Sequence, residues 1–227
     1  MSTILITGAN RGIGYETARA LIAEGHTVWL GCRDKARGER AAGELGGKFV
    51  LLDVTDDASA QAAAAAIGQL DVLINNAGLL EPPTHIGDLT SELVHRIFDT
   101  NVFGVVRVTT AFLPLLAESA QPTVVNVTSS IGSLAKSADP NDEFTAYPQD
   151  VYRASKAALN MFTVQYAKAY PAVRINCVDP GLTATDMMGG QVGQPVAQAA
   201  AIVSRVALLG PDGPTGQFLG ADGVVPW

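Results

Sequence analysis

Positive charge is scarce in this sequence: 15 Lys and Arg stand against 22 Asp and Glu, a formal net charge of −7. A nucleic-acid backbone is bound through a basic footprint, so this balance argues against such a partner and reads as ordinary surface solubility. Cysteine is scarcer still. Cys32 and Cys177 each lie in or beside an apolar run, with no CxxC spacing or histidine cluster nearby, and read as buried thiols of a reducing compartment. The three histidines, His26, His85 and His95, show neither ligand spacing nor a triad pattern, which removes the usual signals of metal catalysis and serine–histidine hydrolysis. No apolar run approaches the roughly 18 residues of a membrane span. The opening MSTILITGAN has no basic region before its turn at Gly8, unlike a signal peptide. The expectation is a cytoplasmic protein with no metal, membrane or nucleic-acid partner.

What the sequence does have is 48% hydrophobic and 16% charged residues over 227 positions, enough for one α/β domain with a substantial core. Short apolar runs recur at 3–7, 26–31, 48–52, 70–75, 123–128, 173–178 and, more weakly, 216–220. They lack polar alternation, as parallel strands covered on both faces do. Helical stretches are expected between them, near 12–24, 34–45, 57–67, 90–118, 151–169 and 195–208. This alternation predicts a doubly wound, mostly parallel seven-stranded sheet with helices on both faces. Ser133 to Asp150 and Met187 to Pro195, rich in Asp, Pro, Ser, Gly and Gln, read as loops.

Two stretches carry chemistry. The first strand ends in TGANRGIG, whose glycines 8, 12 and 14 open the first helix. Glycine there lets the backbone approach a pyrophosphate, which the free N–H groups and dipole of the helix then favour. The second stretch, VYRASKAALN, sets Tyr152 and Lys156 one helical turn apart, facing the same small volume. With five Tyr and five Lys in the chain, this spacing arises by chance about once in nine sequences. Its strength comes from its place at a helix start after the fifth strand. A cation beside a phenol stabilises the phenolate, so Lys156 is expected to bring Tyr152 from its reference pKa near ~10 toward neutrality.

These motifs, with LDV at 52–54, NNAG at 75–78, Asn101 in DTNVFG, NVTSSIG at 126–132 and PGLTATDM at 180–187, resemble the short-chain dehydrogenase/reductase family of the classical type, carbonyl-reductase-like branch. The resemblance runs from end to end. It implies a single Rossmann-type domain over residues 1–227 with an inserted loop near 133–150 and a short substrate lid near 186–196. It implies an oxidoreductase that reduces a ketone or aldehyde, or reverses that reaction, on a small hydrophobic substrate. Tyr152 would be the acid/base and Lys156 its tuner and a ribose ligand. Ser129, three residues before Gly132, would hold the substrate oxygen in preference to Ser130, and Asn101 would anchor a water to the lysine. The cofactor would lie on Gly8, Asn10, Arg11, Gly12, Ile13 and Gly14, on Arg33, Asp53 and Val54, on Asn75, Ala77 and Gly78, on Tyr152 and Lys156, and on Pro180, Gly181, Thr183 and Thr185.

The second strand, HTVWLGCRD, bears on cofactor choice. An acid at its end would bind the ribose hydroxyls of NAD, whereas arginine would pair with the 2′-phosphate of NADP. In family register Cys32 takes the acid's position and Arg33 follows, with Arg11 as a second cation. Asp34 reads as the start of the second helix. NADP(H) is therefore expected, with NAD(H) as the alternative.

The 22 residues between Ser129 and Tyr152 exceed the family's usual dozen or so. Longer insertions here occur in carbonyl-reductase-like members, some of them monomeric, so either a monomer or a homo-oligomer fits. Phe144 and Tyr147 on this insertion are expected to wall the substrate site. Phe144→Ala and Tyr147→Ala should then raise the KM for ketones, and unchanged Michaelis constants across a ketone panel would remove both from the wall.

Overall fold

Ile4, Leu5 and Ile6 of the first apolar run are fully buried in β1 (Thr3–Thr7), as a strand covered on both faces requires. The computed structural model describes residues 1–142, 148–185 and 192–227. After β1 come α1 (Gly12–Ala23), β2 (Thr27–Cys32), α2 (Lys35–Leu45), β3 (Lys48–Leu51), α3 (Asp57–Ile67) and β4 (Val72–Asn75). The second half holds α4 (Ser91–Phe98), α5 (Gly104–Ala117), β5 (Thr123–Val127), α6 (Leu134–Ser137), α7 (Asp150–Ala169), β6 (Arg174–Val178), α8 (Val196–Ala207), β7 (Phe218–Gly220) and β8 (Gly223–Val224).

The strands form one sheet in the order β3-β2-β1-β4-β5-β6-β7-β8, parallel except for the last pair. The expected seven strands are thus eight. The extra one is a two-residue edge returning beside β7, too short to leave an apolar run. The period of two in each strand divides the core. Ile4, Ile6, Val28, Leu30 and Val125 meet Ala18, Leu21, Ala41 and Val203 of α1, α2 and α8 on one face. Leu5, Leu73, Val124 and Ile175 meet Ala60, Ala63, Phe112, Leu116 and Ala167 of α3, α5 and α7 on the other. Each fully buried Leu or Ile contributes about 1.5–3 kcal/mol.

Three expectations change. The helix near 90–118 is interrupted by a π-helical turn, Asp99–Phe103, between α4 and α5. Taken together, Ser91–Ala117 is long and apolar enough to cross a membrane, contrary to the sequence expectation, yet half of its most apolar window is buried inside the fold, as in a core helix. Within the stretch read as a loop from Ser133, the Ser133 hydroxyl accepts from Lys136 N at 3.1 Å and starts the short helix α6.

Strand order reverses between β1 and β4, the point at which open parallel sheets leave a crevice beyond their carboxyl ends. Around that crevice, α7 packs on the 3₁₀ turn Ser130–Gly132, and a Cβ on Gly132 would stand 2.6 Å from Lys156 Cβ and 2.9 Å from its carbonyl carbon. Gly132→Ala should therefore lower stability by about 1–3 kcal/mol through overpacking and displace Lys156. Thermal melting, paired with ligand-binding assays, checks this outcome.

Candidate active site

β1 and β4 end side by side, and the residues after them are tied together. The Thr7 hydroxyl accepts from Asn76 N and Ala77 N, both at 2.9 Å, and Asn76 Nδ2 donates to Thr7 O at 2.8 Å. Gly8, with φ +66°, brings its backbone so near that a Cβ would lie 3.0 Å from Ala77 Cα. A Cβ on Gly14 would strike Asn76 Nδ2 at 2.4 Å, so that glycine lets α1 close on the loop. The result is an open cleft at the switch point, with about 1200 Å³ of empty space when the adjoining solvent is included.

Gly8, Asn10, Arg11, Gly12 and Ile13 line one wall of this cleft. Arg33, Asp53 and Val54 line its far end, and Ala77, Gly78, Tyr152, Lys156, Pro180 and Thr185 complete it. A second lobe of about 720 Å³ shares Ile13, Tyr152, Pro180 and Thr185 and adds Ser129, Gly181 and Thr183. Gly14, Asn75 and Asn101 line neither lobe. The side chain of Asn75 turns into the core, where Nδ2 donates to Asn126 Oδ1 at 2.9 Å and Thr109 Oγ1 at 3.1 Å; the cleft-lining asparagine is its neighbour Asn76. One residue decides this, because Asn75 is the last residue of the strand and Asn76 the first of the loop.

Asn101 lies in the π-helical turn, a local distortion between α4 and α5. Its amide grips the backbone of Leu79: Oδ1 accepts from Leu79 N at 2.7 Å and Nδ2 donates to Leu79 O at 2.9 Å. A third bond runs from Nδ2 to Ser155 Oγ at 3.0 Å. A Cβ on Gly78 would stand 3.5 Å from Asn101 Oδ1 and 3.9 Å from Lys156 Nζ, which places Gly78 between the two.

Tyr152 and Lys156 rise from the first turns of α7. Lys156 is 4% exposed, its Nζ donates to Val127 O at 2.8 Å, and the ammonium sits 5.3 Å from the centroid of the Tyr152 ring. Burial pulls Lys156 down to about 8, opposed by charge on Cys177. Burial, then the carboxylates of Asp179 and Glu81, push Tyr152 above the ordinary range of a phenol. This runs against the expectation that Lys156 brings the phenol toward neutrality. Desolvation and the two carboxylates disfavour the charged phenolate.

Ser129 and Ser130 both line the second lobe, Ser130 the more buried of the two, with Ser129 in extended backbone two residues past β5, just before the 3₁₀ turn. At the other end of the cleft, burial would raise Asp53, but hydrogen bonds from Thr55 and the charges of Arg33 and Arg107 outweigh it and hold the carboxyl below its usual range. Asp34 caps α2, accepting from Arg37 N at 3.0 Å, as expected of a carboxylate at a helix start. Burial keeps Cys32 protonated, pushed up to about 11.

The sequence reading missed several lining residues. Thr100 of the π turn and Thr128 reach the cleft. Leu80, Ile131, Gln149 and Leu182 shape the second lobe. Arg37 and Arg40 flank Asn10 and Arg11 in a neighbouring recess that also holds Glu44; their one-turn spacing on α2, just after Arg33, was an available signal. Phe144, Tyr147, Met187, Met188, Gly189 and Gly190 lie outside the described residues. Among the described residues, no three His, Cys, Asp or Glu gather as a metal site.

Comparison with known proteins bears on the whole chain. The family model described as short chain dehydrogenase matches residues 2–194. Short-chain dehydrogenase/reductase 1 of Saponaria officinalis is 33% identical over 287 aligned residues, covering 98% of this chain and 95% of its own. The NADPH-bound carbonyl reductase from chicken fatty liver superposes with a TM-score of 0.88 at 30% identity, covering 100% of this chain and 99% of that one. The 3-ketoacyl-(acyl-carrier-protein) reductase from Brucella melitensis complexed with NADH superposes with a TM-score of 0.85 at 25% identity, covering 97% and 96%. A match that begins in β1 and runs past α7, over a cleft formed where sheets of this topology bind dinucleotides, has one consequence: the chain belongs to the short-chain dehydrogenase/reductase family of nicotinamide-dependent oxidoreductases.

Proposed function

We propose that this protein is an NADP(H)-dependent oxidoreductase that reduces a ketone or aldehyde to the alcohol, and reverses the reaction when the alcohol is in excess. The observation that carries the reading is that Tyr152 borders both lobes, so one residue lines both the cleft at the switch point and an adjoining smaller chamber. Carbonyl reduction needs that arrangement, because the oxygen that gains a proton must lie beside the carbon that gains hydride.

The residues present fit a nicotinamide dinucleotide. The approach of Gly8 to Ala77 leaves no room for a side chain and keeps backbone N–H groups at the start of α1 open to a pyrophosphate. Asp53 suits the adenine end and Lys156 a ribose hydroxyl. Pro180, Gly181, Thr183 and Thr185 suit the nicotinamide end. When bound, the cofactor supplies the hydride. Tyr152 Oη donates its proton to the substrate oxygen while Ser129 Oγ holds that oxygen by a hydrogen bond. The raised Tyr152 keeps its proton through neutral pH, the state a proton donor needs. Lys156 supplies positive charge that eases formation of the phenolate as the proton leaves.

Arg11 and Arg33 line the end of the cleft where a 2′-phosphate would sit, with Arg37 and Arg40 close by. Asp34 is engaged with the start of α2, leaving Cys32 where an NAD-selective acid would stand. These features favour NADP(H). The NADH-bound relative supports a second reading, an NAD-linked alcohol dehydrogenase on the same site.

Steady-state turnover of NADPH and NADH over aldehydes, ketones, diketones and quinones tests the reading. Tyr152→Phe should lose at least about 10²-fold in kcat. Arg33→Ala should weaken NADPH about tenfold and NADH little, equivalent to about 1.4 kcal/mol. Reduction should hold steady below about pH 8 and fall above it, as Lys156 loses its proton. Equal use of both cofactors by wild type and Arg33→Ala would favour the NAD reading.

A further inference from the structure

Glu81 is a carboxylate that no step above uses, and it is 2% exposed. Its Oε1 accepts from Val151 N at 3.0 Å and from Tyr152 N at 3.1 Å, so it caps the first turn of the helix that bears the proton donor. The residue at the local cap position, Gln149, makes no side-chain cap bond, and the cap therefore comes from 70 residues away in sequence. The segment carrying Glu81 is held on either side. Asn101 grips Leu79 before it, and after it Thr84 pairs with Gln149 and donates its N–H to Pro148 O at 3.0 Å. The other oxygen, Oε2, is buried and has no hydrogen-bond partner among the described residues.

Capping alone explains only half of this arrangement. A glutamine would cap equally well through its amide oxygen, whereas a buried carboxylate with one oxygen unpaired carries a desolvation cost that the helix N-terminus offsets in part. What the charge adds is a field at Tyr152. The charged groups acting on Tyr152 are Asp179 after β6 and Glu81, whose Oε1 lies 3.1 Å from Tyr152 N; the Lys156 ammonium stands 5.3 Å from the ring centroid, Cys177 acts on that lysine, and Asp150 and Arg153 lie on the first turn of α7. Lys156 favours the phenolate, and the two carboxylates oppose it.

We propose that Glu81 is a positioning residue of this site: through Oε1 it fixes the first turn of α7 and with it Tyr152, and through its negative charge it keeps the phenol in the proton-donating form that carbonyl reduction uses. This deepens the reading of Tyr152 as the acid and rests on it. Burial, Asp179 and Glu81 act on Tyr152 in the same direction, which agrees with the role.

The test compares wild type, Glu81→Gln and Glu81→Ala in two measurements that need no turnover. Amide hydrogen exchange at Val151 and Tyr152 reads the anchor. The tyrosinate absorbance attributable to Tyr152, by difference from Tyr152→Phe, reads the charge. Glu81→Gln should keep the amide protection and ionise its phenol lower by about half a pH unit or more. Glu81→Ala should exchange those amides at least about tenfold faster, a local loss of about 1.4 kcal/mol. Coinciding ionisation curves for wild type and Glu81→Gln overturn the role of the charge. Unchanged exchange in Glu81→Ala overturns the anchor. Should Glu81→Ala fail to fold, the Glu81→Gln titration decides alone. If both measurements come out as expected and no carbonyl is turned over, the functional reading fails while the role of Glu81 stands.

Discussion

Three consecutive residues at the end of one strand hold the helix on which the site depends. Asn126 Nδ2 donates to Thr163 Oγ1, Val127 O accepts from Lys156 Nζ, and Thr128 Oγ1 donates to Asn160 Oδ1, each at 2.8 Å. Residues 156, 160 and 163 stand on one face of α7, so the three bonds form a seam along β5 and its exit. All are buried, where leaving a partner unsatisfied costs about 1–3 kcal/mol per group. The seam sets both the height and the rotation of α7. Tyr152 projects into the cleft because Lys156, one turn further on, is pinned to the strand.

The same burial that makes the seam strong sets the electrostatics of the pair. A lysine drawn to about 8 still carries charge at neutral pH, while its phenol neighbour is pushed the other way. The two groups therefore rest as a cation and a neutral phenol, the pairing that the proposed proton donation to an oxygen in the second lobe requires. The cleft end near Arg11 and Arg33 is far more exposed, which suits the charged group proposed to sit there.

Much of this was legible because it is local. The apolar runs named the strands in order, TGANRGIG named the loop after β1, and the spacing of Tyr152 and Lys156 is itself a statement about one face of a helix. What escaped was set by distance or by a single step of strand alternation. Asn75 and Asn76 are adjacent and chemically identical, yet the pleat sends the first into the core and leaves the second at the cleft. Glu81 caps a helix from 70 residues away, with no pattern near either end to announce it. The π turn at Asp99–Phe103 interrupts a helix whose composition is continuous, and β8 is two residues long. The upward push on Tyr152 could not be read from its lysine neighbour, because burial and two carboxylates from other segments decide it.

The central claim is that one substrate oxygen sits between Tyr152 and Ser129 in the lobe beside the dinucleotide cleft. A crystal structure of the ternary complex with NADP⁺ and an unreacted ketone tests it most directly. The account predicts the carbonyl oxygen within hydrogen-bond distance of both Tyr152 Oη and Ser129 Oγ. A carbonyl oxygen bound to Ser130 instead, or seated away from Tyr152, would contradict it.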